Sequence, residues 1–336
     1  MYAVDTAKSV FQVYGESADR SARLTKRLRR AQFLTFFAKL RAPVDVVMEA
    51  CGSAHHWARE LTALGHHVRL IPPQHVKPFL KRNKNDYRDA EAILEASLRP
   101  GLHFVPLKSV AQQCDRALHR GRDQLIGQRS QLGNIIRSLL SEMGIVAPPG
   151  QAGSARLYGL IEAEDATIAP AMLVVLKPLL AQWYSLHAAI NELEHQILAA
   201  ARANADVQRL MKIDNVGPIT AHALVAAIGD GRQFRSARDF VAWLGLTPLH
   251  HGSADRIRIG RISKAGDRGL RRLFVLGASS GLYHARAKPD KASPWLRGLL
   301  ARRPVKVAVI AQAAKTARIA WAVLTSGEPY RARAAA

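Results

Sequence analysis

Short apolar runs alternate with amphipathic stretches in the first part of the chain. Three runs have the length and composition of β-strands: residues 2–14, 44–48 and 68–71. Two stretches between them repeat apolar side chains at helical spacing: residues 32–40 and 54–64. Such alternation predicts an N-terminal α/β layer domain.

Helical periodicity dominates the chain beyond this region. It predicts a helix over residues 86–98 and long helices over 110–143 and 172–203. In the last of these, leucines and isoleucines recur near heptad spacing. That spacing is typical of a coiled-coil or hairpin arm that could contact a second copy, and equally of an ordinary bundle helix.

Two features divide the chain further. The Pro- and Gly-rich run 147–153 is the best candidate for a domain boundary. After Met211, residues 213–221 resemble a helix-hairpin-helix element, in which a Gly-containing turn opens a helix and its backbone N–H groups can meet a phosphate. We therefore expect three parts: a domain over 1–147, a linker and helical arm over 148–205, and a mostly helical domain over 206–336.

The charge of the chain favours a polyanionic partner. Its 336 residues include 49 Lys and Arg against 26 Asp and Glu, a net charge of +23. From Gly231 to the end there are 21 Lys and Arg and 5 Asp and Glu, so +16 lies in the last third. Nucleic acid is the expected partner, although a ribosomal-type binder or a merely basic enzyme would share this composition. Because 48% of the residues are hydrophobic, a disordered basic tail is excluded.

Cysteine usage and hydropathy point to the cytoplasm. Cys51 and Cys114 are far apart and form no zinc or disulfide pattern. Asp5 interrupts the apolar opening that a signal peptide would need. The apolar stretch 305–324 carries Lys306, Lys315 and Arg318, which favours a buried or groove-lining helix over a membrane span. We expect a cytoplasmic protein with no membrane partner.

Four carboxylates form a candidate metal site. Asp5 lies inside a predicted strand, Glu49 ends another, and Asp86 and Asp89 share one face of a predicted helix start. Acids in these places can converge on two Mg²⁺ ions and promote phosphodiester chemistry. Three of the four have a simpler interpretation: helix-start aspartates such as Asp86 and Asp89 are usually caps, and Glu49 alone would be a strand-end charge. Asp5 is the exception, because an acid inside an apolar strand is costly to bury without a partner.

A second constellation spans residues 245–268, where a predicted Gly/Pro/Ser loop precedes a basic helix. Ser253 in this loop could attack phosphorus while arginines and lysines clamp the phosphate. A turn or cap role is the simpler interpretation for Ser253 or Ser263, and His250 and His251 could act as bases or be incidental. The predicted nucleic-acid contacts are Lys8, Arg256, Arg258, Arg261, Lys264, Arg268, Arg271 and Arg272.

Taken together, these segments resemble the DEDD transposases of the IS-one-ten and IS-eleven-eleven insertion sequences and the Piv-type DNA invertases. The N-terminal motifs are Val4-Asp5-Thr6-Ala7-Lys8, Met48-Glu49-Ala50-Cys51-Gly52 and Asn83-Lys84-Asn85-Asp86-Tyr87-Arg88-Asp89-Ala90. The C-terminal motifs are Val216-Gly217 with Thr220-Ala221, Phe240 to Pro248, Gly252-Ser253, and Arg261 to Asp267 with Leu270-Arg271-Arg272. The motifs occur in the family's order over nearly the whole chain.

The resemblance implies a RuvC/RNase H-like nuclease domain, a helical coiled-coil arm and a C-terminal transposase domain. It implies that Asp5, Glu49, Asp86 and Asp89 bind Mg²⁺ and that Ser253 is the nucleophile, forming a covalent phosphoserine intermediate in a composite site. It further implies DNA substrates, a structured guide RNA, and a homo-oligomer, either a dimer or a tetramer. The chain departs from the family pattern where Asn215 replaces a common proline and Ala254 a usual glycine.

Two other functions remain open from the sequence. A RuvC-like structure-specific nuclease would use the same acids with water as nucleophile, and Ser253 would only contact phosphate. A nucleic-acid-binding scaffold would keep the basic surface without catalysis.

Overall fold

The computed structural model describes residues 1–17, 19, 21–80, 86–252 and 258–331. Within it the chain forms two compact units, Met1–Val110 and Ala111–Ala336. They are called the first and the second unit.

A mixed five-stranded sheet organises the first unit. Its strands are β1 (Tyr2–Thr6), β2 (Val10–Glu16), β3 (Arg23–Arg29), β4 (Asp45–Glu49) and β5 (His67–Ile71). The spatial order is β3-β2-β1-β4-β5. Strands β1, β2 and β3 form an antiparallel meander, whereas β4 runs parallel to β1 and β5 runs parallel to β4.

Helices cover both faces of this sheet, as the α/β prediction requires. They are α1 (Arg30–Ala38), α2 (Ala54–Ala63), α3 (Pro73–Val76) and α4 (Asp86–Ser97). Successive strand residues point to opposite faces. Val4 therefore packs in a cluster with Phe33 and Trp57, while its neighbour Ala3 packs with Val47 and Ile93 on the other face. The mixed α/β character expected of the N-terminal region is confirmed.

The sequence prediction was incomplete at the start of the sheet. Residues 2–14 form two strands rather than one, because the chain turns after Thr6 and the Ala7 amide donates to the Val10 carbonyl at 3.3 Å. Strand β3 was not predicted at all. Only Leu24 and Leu28 are apolar in it, and its Lys and Arg side chains are exposed, as is common for edge strands.

The second unit is mostly helical, with one β-hairpin. Its helices are α5 (Val110–Ser141), α6 (Gln151–Glu162), α7 (Pro170–Ala203), α8 (Ala205–Leu210), α9 (Pro218–Ile228), α10 (Ala237–Trp243), α11 (Arg268–Ala287), α12 (Pro294–Arg302) and α13 (Val305–Ser326). Strands β6 (Pro248–His251) and β7 (Arg258–Ile262) pair antiparallel. The predicted Gly/Pro/Ser loop is thus corrected: a hairpin flanks residues 252–257.

Helices α5 and α7 pack against each other in antiparallel fashion. The Arg122 guanidinium donates to Glu194 at 2.8 Å, and Arg129 Nη1 lies 2.7 Å from His187 Nδ1, about two turns earlier on α7. Helix α6 joins them, since Leu157 packs in one cluster with residues of α5 and α7. The run 147–153 therefore leads into a packed helix. The predicted domain boundaries stay predictions.

The rest of the second unit encloses its own core, in which α13 packs with α9, α10 and α11 around Phe240 and Phe274. Small residues on α13, such as Ala313 and Ala317, are fully buried there. Helices α7 and α13 are long and apolar enough to cross a membrane by length and composition alone. The contacts of α13 are those expected for the buried helix predicted over 305–324.

The turn before α9 explains one departure from the family pattern. Asn215 has a φ of 67°, a left-handed conformation. Proline, whose ring fixes φ near −65°, is excluded there. Gly277 and Gly281 of α11 make room for this turn, because a Cβ at Gly277 would lie 2.3 Å from the Asn215 carbonyl oxygen.

Candidate active site

The register of the central strands places Asp5 beside Glu49. In the parallel pair β1–β4, Val4 lies opposite Met48, so the next residues of both strands are also neighbours. Because side chains alternate along a strand, Asp5 points to the same face of the sheet as Ala3, and Glu49 points to the same face as Val47. Since Ala3 and Val47 pack against α4, both carboxylates project from the face of the sheet that this helix covers.

Helix α4 brings the other two predicted acids to this face. Ala90 and Ile93 of α4 are buried in the cluster that contains Ala3. Asp89 immediately precedes the first of these buried residues and is partly buried itself. Asp86 is the first residue of α4, and its side chain lies outside the described part of the structure.

The charges of two other acids act on Glu49. The pKa of Glu49 is raised, first by burial and then by the negative charges of Asp5 and Asp89. The Lys77 ammonium opposes this shift. Like charges raise the pKa of a carboxyl only at short range, so Asp5 and Asp89 each lie near enough to Glu49 to repel its charge.

The donor set suits a hard divalent cation in charge and chemistry. Carboxylate oxygens are the ligands that Mg²⁺ prefers, and a cation would relieve the repulsion that raises the pKa of Glu49. Among the described side chains, which exclude Asp86, no group of three or more His, Cys, Asp or Glu forms a ready-made metal site. The acids therefore match a Mg²⁺ site in their charge and in the type of atom that they offer as ligand.

A polar contact that the sequence did not reveal ties the two strand ends together. Thr6 Oγ1 lies 3.0 Å from Cys51 Sγ, one residue beyond Asp5 and two beyond Glu49. Lys77 was missed for the same reason: only folding brings it near the acids. Lys8 is exposed in the turn between β1 and β2, where its carbonyl accepts from Arg30 Nη1 at 3.2 Å.

The second predicted constellation flanks the hairpin of the second unit. Ser253 and Arg256 lie outside the described residues. On either side of them, His251 pairs with Arg258 across β6 and β7. Four predicted phosphate contacts have exposed side chains: Arg258, Arg261, Lys264 and Arg268.

Two other predicted nucleic-acid contacts have partners inside the second unit. Arg271 Nη1 donates to the Leu244 carbonyl at 3.0 Å and also to the Ala265 carbonyl, so it holds the end of α10 against the loop before α11. Arg272 forms an ion pair with Asp123 of α5. Both guanidinium groups therefore have structural roles within the unit, which the sequence pattern did not indicate.

The loop before α11 is tightly packed. The Asp267 carboxylate caps α11 by accepting from the Leu270 amide at 2.9 Å, and it also pairs with Arg116 at 3.2 Å. Gly266 has a φ of 62°, and a Cβ there would lie 2.0 Å from the Trp243 carbonyl oxygen. This packing fixes the base from which the hairpin emerges.

Comparisons with known proteins agree over both regions. Residues 3–145 match a family model of DEDD transposases of the IS110 type, and residues 207–300 match one described as the transposase IS116/IS110/IS902 family. The first match contains all four acids, and the second contains Ser253.

Curated relatives cover nearly the whole chain. A probable family 20 transposase of Pseudomonas aeruginosa is 46% identical over 98% of this chain and 97% of its own length. The transposase for insertion sequence element IS1111A of Coxiella burnetii is 42% identical over 98% of this chain and 90% of its own. The pilin gene-inverting protein of Moraxella bovis is 30% identical over 43% of this chain and 46% of its own.

Proposed function

Because the chain belongs to the IS116/IS110/IS902 family of transposases and is a DNA-recombining enzyme, we propose that it exchanges DNA strands through a carboxylate-held divalent metal and a serine nucleophile. The observation that carries this proposal is the clustering of Asp5, Glu49 and Asp89 at one end of the central strands. Asp86 begins the same helix as Asp89, one turn earlier, and is the fourth proposed ligand.

The first unit is proposed to be a RuvC/RNase H-like nuclease domain. In support, its strand order is β3-β2-β1-β4-β5, with an antiparallel meander followed by parallel strands. The acids lie where β1 and β4 end, the place at which parallel strands gather functional groups. The proposed ion is Mg²⁺, which when bound stabilises the charge that develops on phosphodiester oxygens.

Ser253 is the proposed nucleophile. Its Oγ attacks the phosphorus of a phosphodiester and loses its proton to solvent, and the bond to the leaving strand oxygen breaks as that oxygen takes up a proton. The product is a phosphoserine ester. A hydroxyl of the incoming strand then attacks the same phosphorus and loses its proton to solvent, and the Ser253 oxygen leaves and regains a proton. The exposed Arg258, Arg261 and Arg268 would neutralise the phosphates on either side.

We also propose a structured guide RNA and a homo-oligomer as partners. The net charge of +23 supports binding of more than one nucleic-acid strand. Parallel binding assays with DNA and with RNA of the same sequence test this part of the proposal.

The proposal is tested by strand exchange on the element's own DNA ends, with trapping of protein–DNA adducts. Ser253→Ala should abolish exchange and adduct, whereas the matched variant Ser263→Ala should keep both. Glu49→Gln should abolish exchange at every Mg²⁺ concentration, and Glu95→Gln, an exposed acid on the same helix as Asp89, should not.

Different results would favour the other functions. DNA cleavage by Ser253→Ala without an adduct would identify a nuclease that uses water. If the unmodified protein bound the DNA ends but did not cleave them, it would be a scaffold. Either result would refute the serine mechanism.

A further inference from the structure

An open cavity of about 820 Å³ lies between helices α5, α6 and α7 of the second unit. Its volume is within the range of ligand-binding pockets, about 300–1,000 Å³. Neither the acidic cluster nor the hairpin contributes to it. Aromatic rings form one side of this cavity and arginines lie beside them, a composition that an ordinary helix–helix groove does not require.

The aromatic wall consists of Trp183 and Tyr184 on α7 and Tyr158 on α6. The Trp183 ring centroid lies 4.8 Å from that of Tyr158 and 5.4 Å from that of Tyr184. Tyr184 is 42% exposed, although it lies in a cluster of rings. Gly133 of α5 permits this arrangement, since a Cβ there would lie 3.1 Å from Tyr158 Oη.

Two arginines of α5 bring positive charge to the rings. Arg129 lies over Trp183, with Cζ 5.8 Å from the ring centroid, and its Nη1 is 2.7 Å from His187 Nδ1. Arg137 Nη2 donates to the carbonyls of Ala147 and Pro148, while its buried Nη1 has no hydrogen-bond partner among the described residues.

The backbone adds further donors. Helix α6 begins at the edge of the cavity, and its N-cap residue Gly150 provides no side-chain cap. The first amides of the helix are therefore open to an acceptor. None of the described residues that line the cavity is acidic. The expected ligand is accordingly anionic and carries a flat ring.

We propose that this cavity binds an unstacked nucleotide from a single-stranded segment of nucleic acid. The base stacks on the exposed ring of Tyr184, which stands at 86° to Trp183, and the phosphate is held by Arg129 and Arg137. Stacking on exposed aromatic rings beside arginines is the common means of binding single strands. A second copy of this chain fits less well, because it would bring another net charge of +23 to a cavity lined by Arg129 and Arg137, beside which Glu162, the hydrogen-bond partner of Tyr184, is a single acid.

The proposal can be tested by fluorescence anisotropy with labelled oligo(dT), oligo(rU) and a DNA duplex at one salt concentration. Tyr184→Ala should weaken single-strand binding roughly 5- to 150-fold, the range reported by alanine substitution of stacking residues. Tyr184→Phe, which keeps the ring, should bind like the unmodified protein. Tyr283→Ala is the matched control, because Tyr283 is 74% exposed but lies outside the cavity.

The two sources of the nucleotide are distinguished by which oligomer is more affected by the loss of the ring. A larger loss for oligo(rU) assigns an RNA segment, and a larger loss for oligo(dT) assigns a DNA strand. Arg129→Gln should weaken both and reduce the dependence of the affinity on salt.

An unchanged affinity of Tyr184→Ala for both single strands would overturn the proposal. If the same variant also dissociated an oligomer in sedimentation, the cavity would instead be a contact between copies. This result does not depend on Ser253, so failure here is distinguishable from failure of the proposed strand exchange.

Discussion

Replacing His119 by glutamine should remove much of the acid sensitivity of the second unit. His119 lies on α5, and its Nε2 is 2.8 Å from Nδ1 of His222 on α9. Burial, the neighbouring His222 and the charges of Arg122 and Arg116 lower the pKa of His119 to about 4. Both imidazoles are therefore neutral in the folded protein at neutral pH, and the pair joins two helices that are distant in sequence.

The sign and size of the effect follow from proton linkage. In the unfolded chain the pKa of a histidine is about 6.5, so between about pH 6.5 and 4 the unfolded state binds more protons than the folded one. The stability contributed by the neutral His119 is present above that range and is lost as the pH falls through it. With a folded pKa of about 4, the loss between pH 7.5 and pH 5 is about 2 kcal/mol.

Urea unfolding at pH 7.5 and pH 5 measures this loss. The free energy of unfolding of His119→Gln should decrease with acid by about 2 kcal/mol less than that of the unmodified protein. His284→Gln is the control, because His284 is exposed on α11, and it should keep the original pH dependence. If His119→Gln lost stability with acid as steeply as the unmodified protein, the argument from burial would be wrong.

Four further predictions concern single substitutions. Glu49→Gln should raise the free energy of urea unfolding of the metal-free protein, because it removes a partly buried charge that neighbouring acids repel; an unchanged or lower value would contradict the proximity of Asp5 and Asp89 to Glu49. Gly266→Ala should lower the free energy of unfolding by about 1–3 kcal/mol more than Gly101→Ala, since both have positive φ but only the first new Cβ would overlap a carbonyl oxygen. Arg271→Gln should cost about 1.5–3 kcal/mol of unfolding free energy through its two lost hydrogen bonds to carbonyls. Arg268→Gln should leave the unfolding free energy nearly unchanged but reduce the slope of DNA affinity with salt by about 1, and equal effects of the two arginines on stability would refute this distinction.

The sequence predicted the structure best where a single local property, such as apolar periodicity, determines the element. Strand β4 and helix α4 follow from apolar periodicity, and both end or begin at a predicted site acid, Glu49 and Asp86. Asp5 was singled out because a carboxylate inside an apolar strand is costly. The strand register that places Asp5 beside Glu49 depends on contacts between distant segments. Local sequence patterns do not contain this information.

Other features were missed because local composition gave a different signal. Strand β3 is mostly basic, and the hairpin of β6 and β7 is rich in residues typical of loops. From the sequence, Arg271 cannot be told apart from an arginine that contacts phosphate. In the structure its guanidinium donates hydrogen bonds to backbone carbonyls. Trp183 and Tyr184 belong to a helix recognised by its leucines, and their place in a cavity appears only when α5 and α6 pack beside it.

The central claim is that Ser253 forms a covalent bond to DNA in a reaction that requires the acidic cluster. Mass spectrometry of proteolytic peptides from the protein reacted with its DNA ends and Mg²⁺ tests it most directly. The account predicts a nucleotide on the peptide that contains Ser253, and the absence of this product with Glu49→Gln. A nucleotide attached to a different residue, or the same yield with Glu49→Gln, would contradict it.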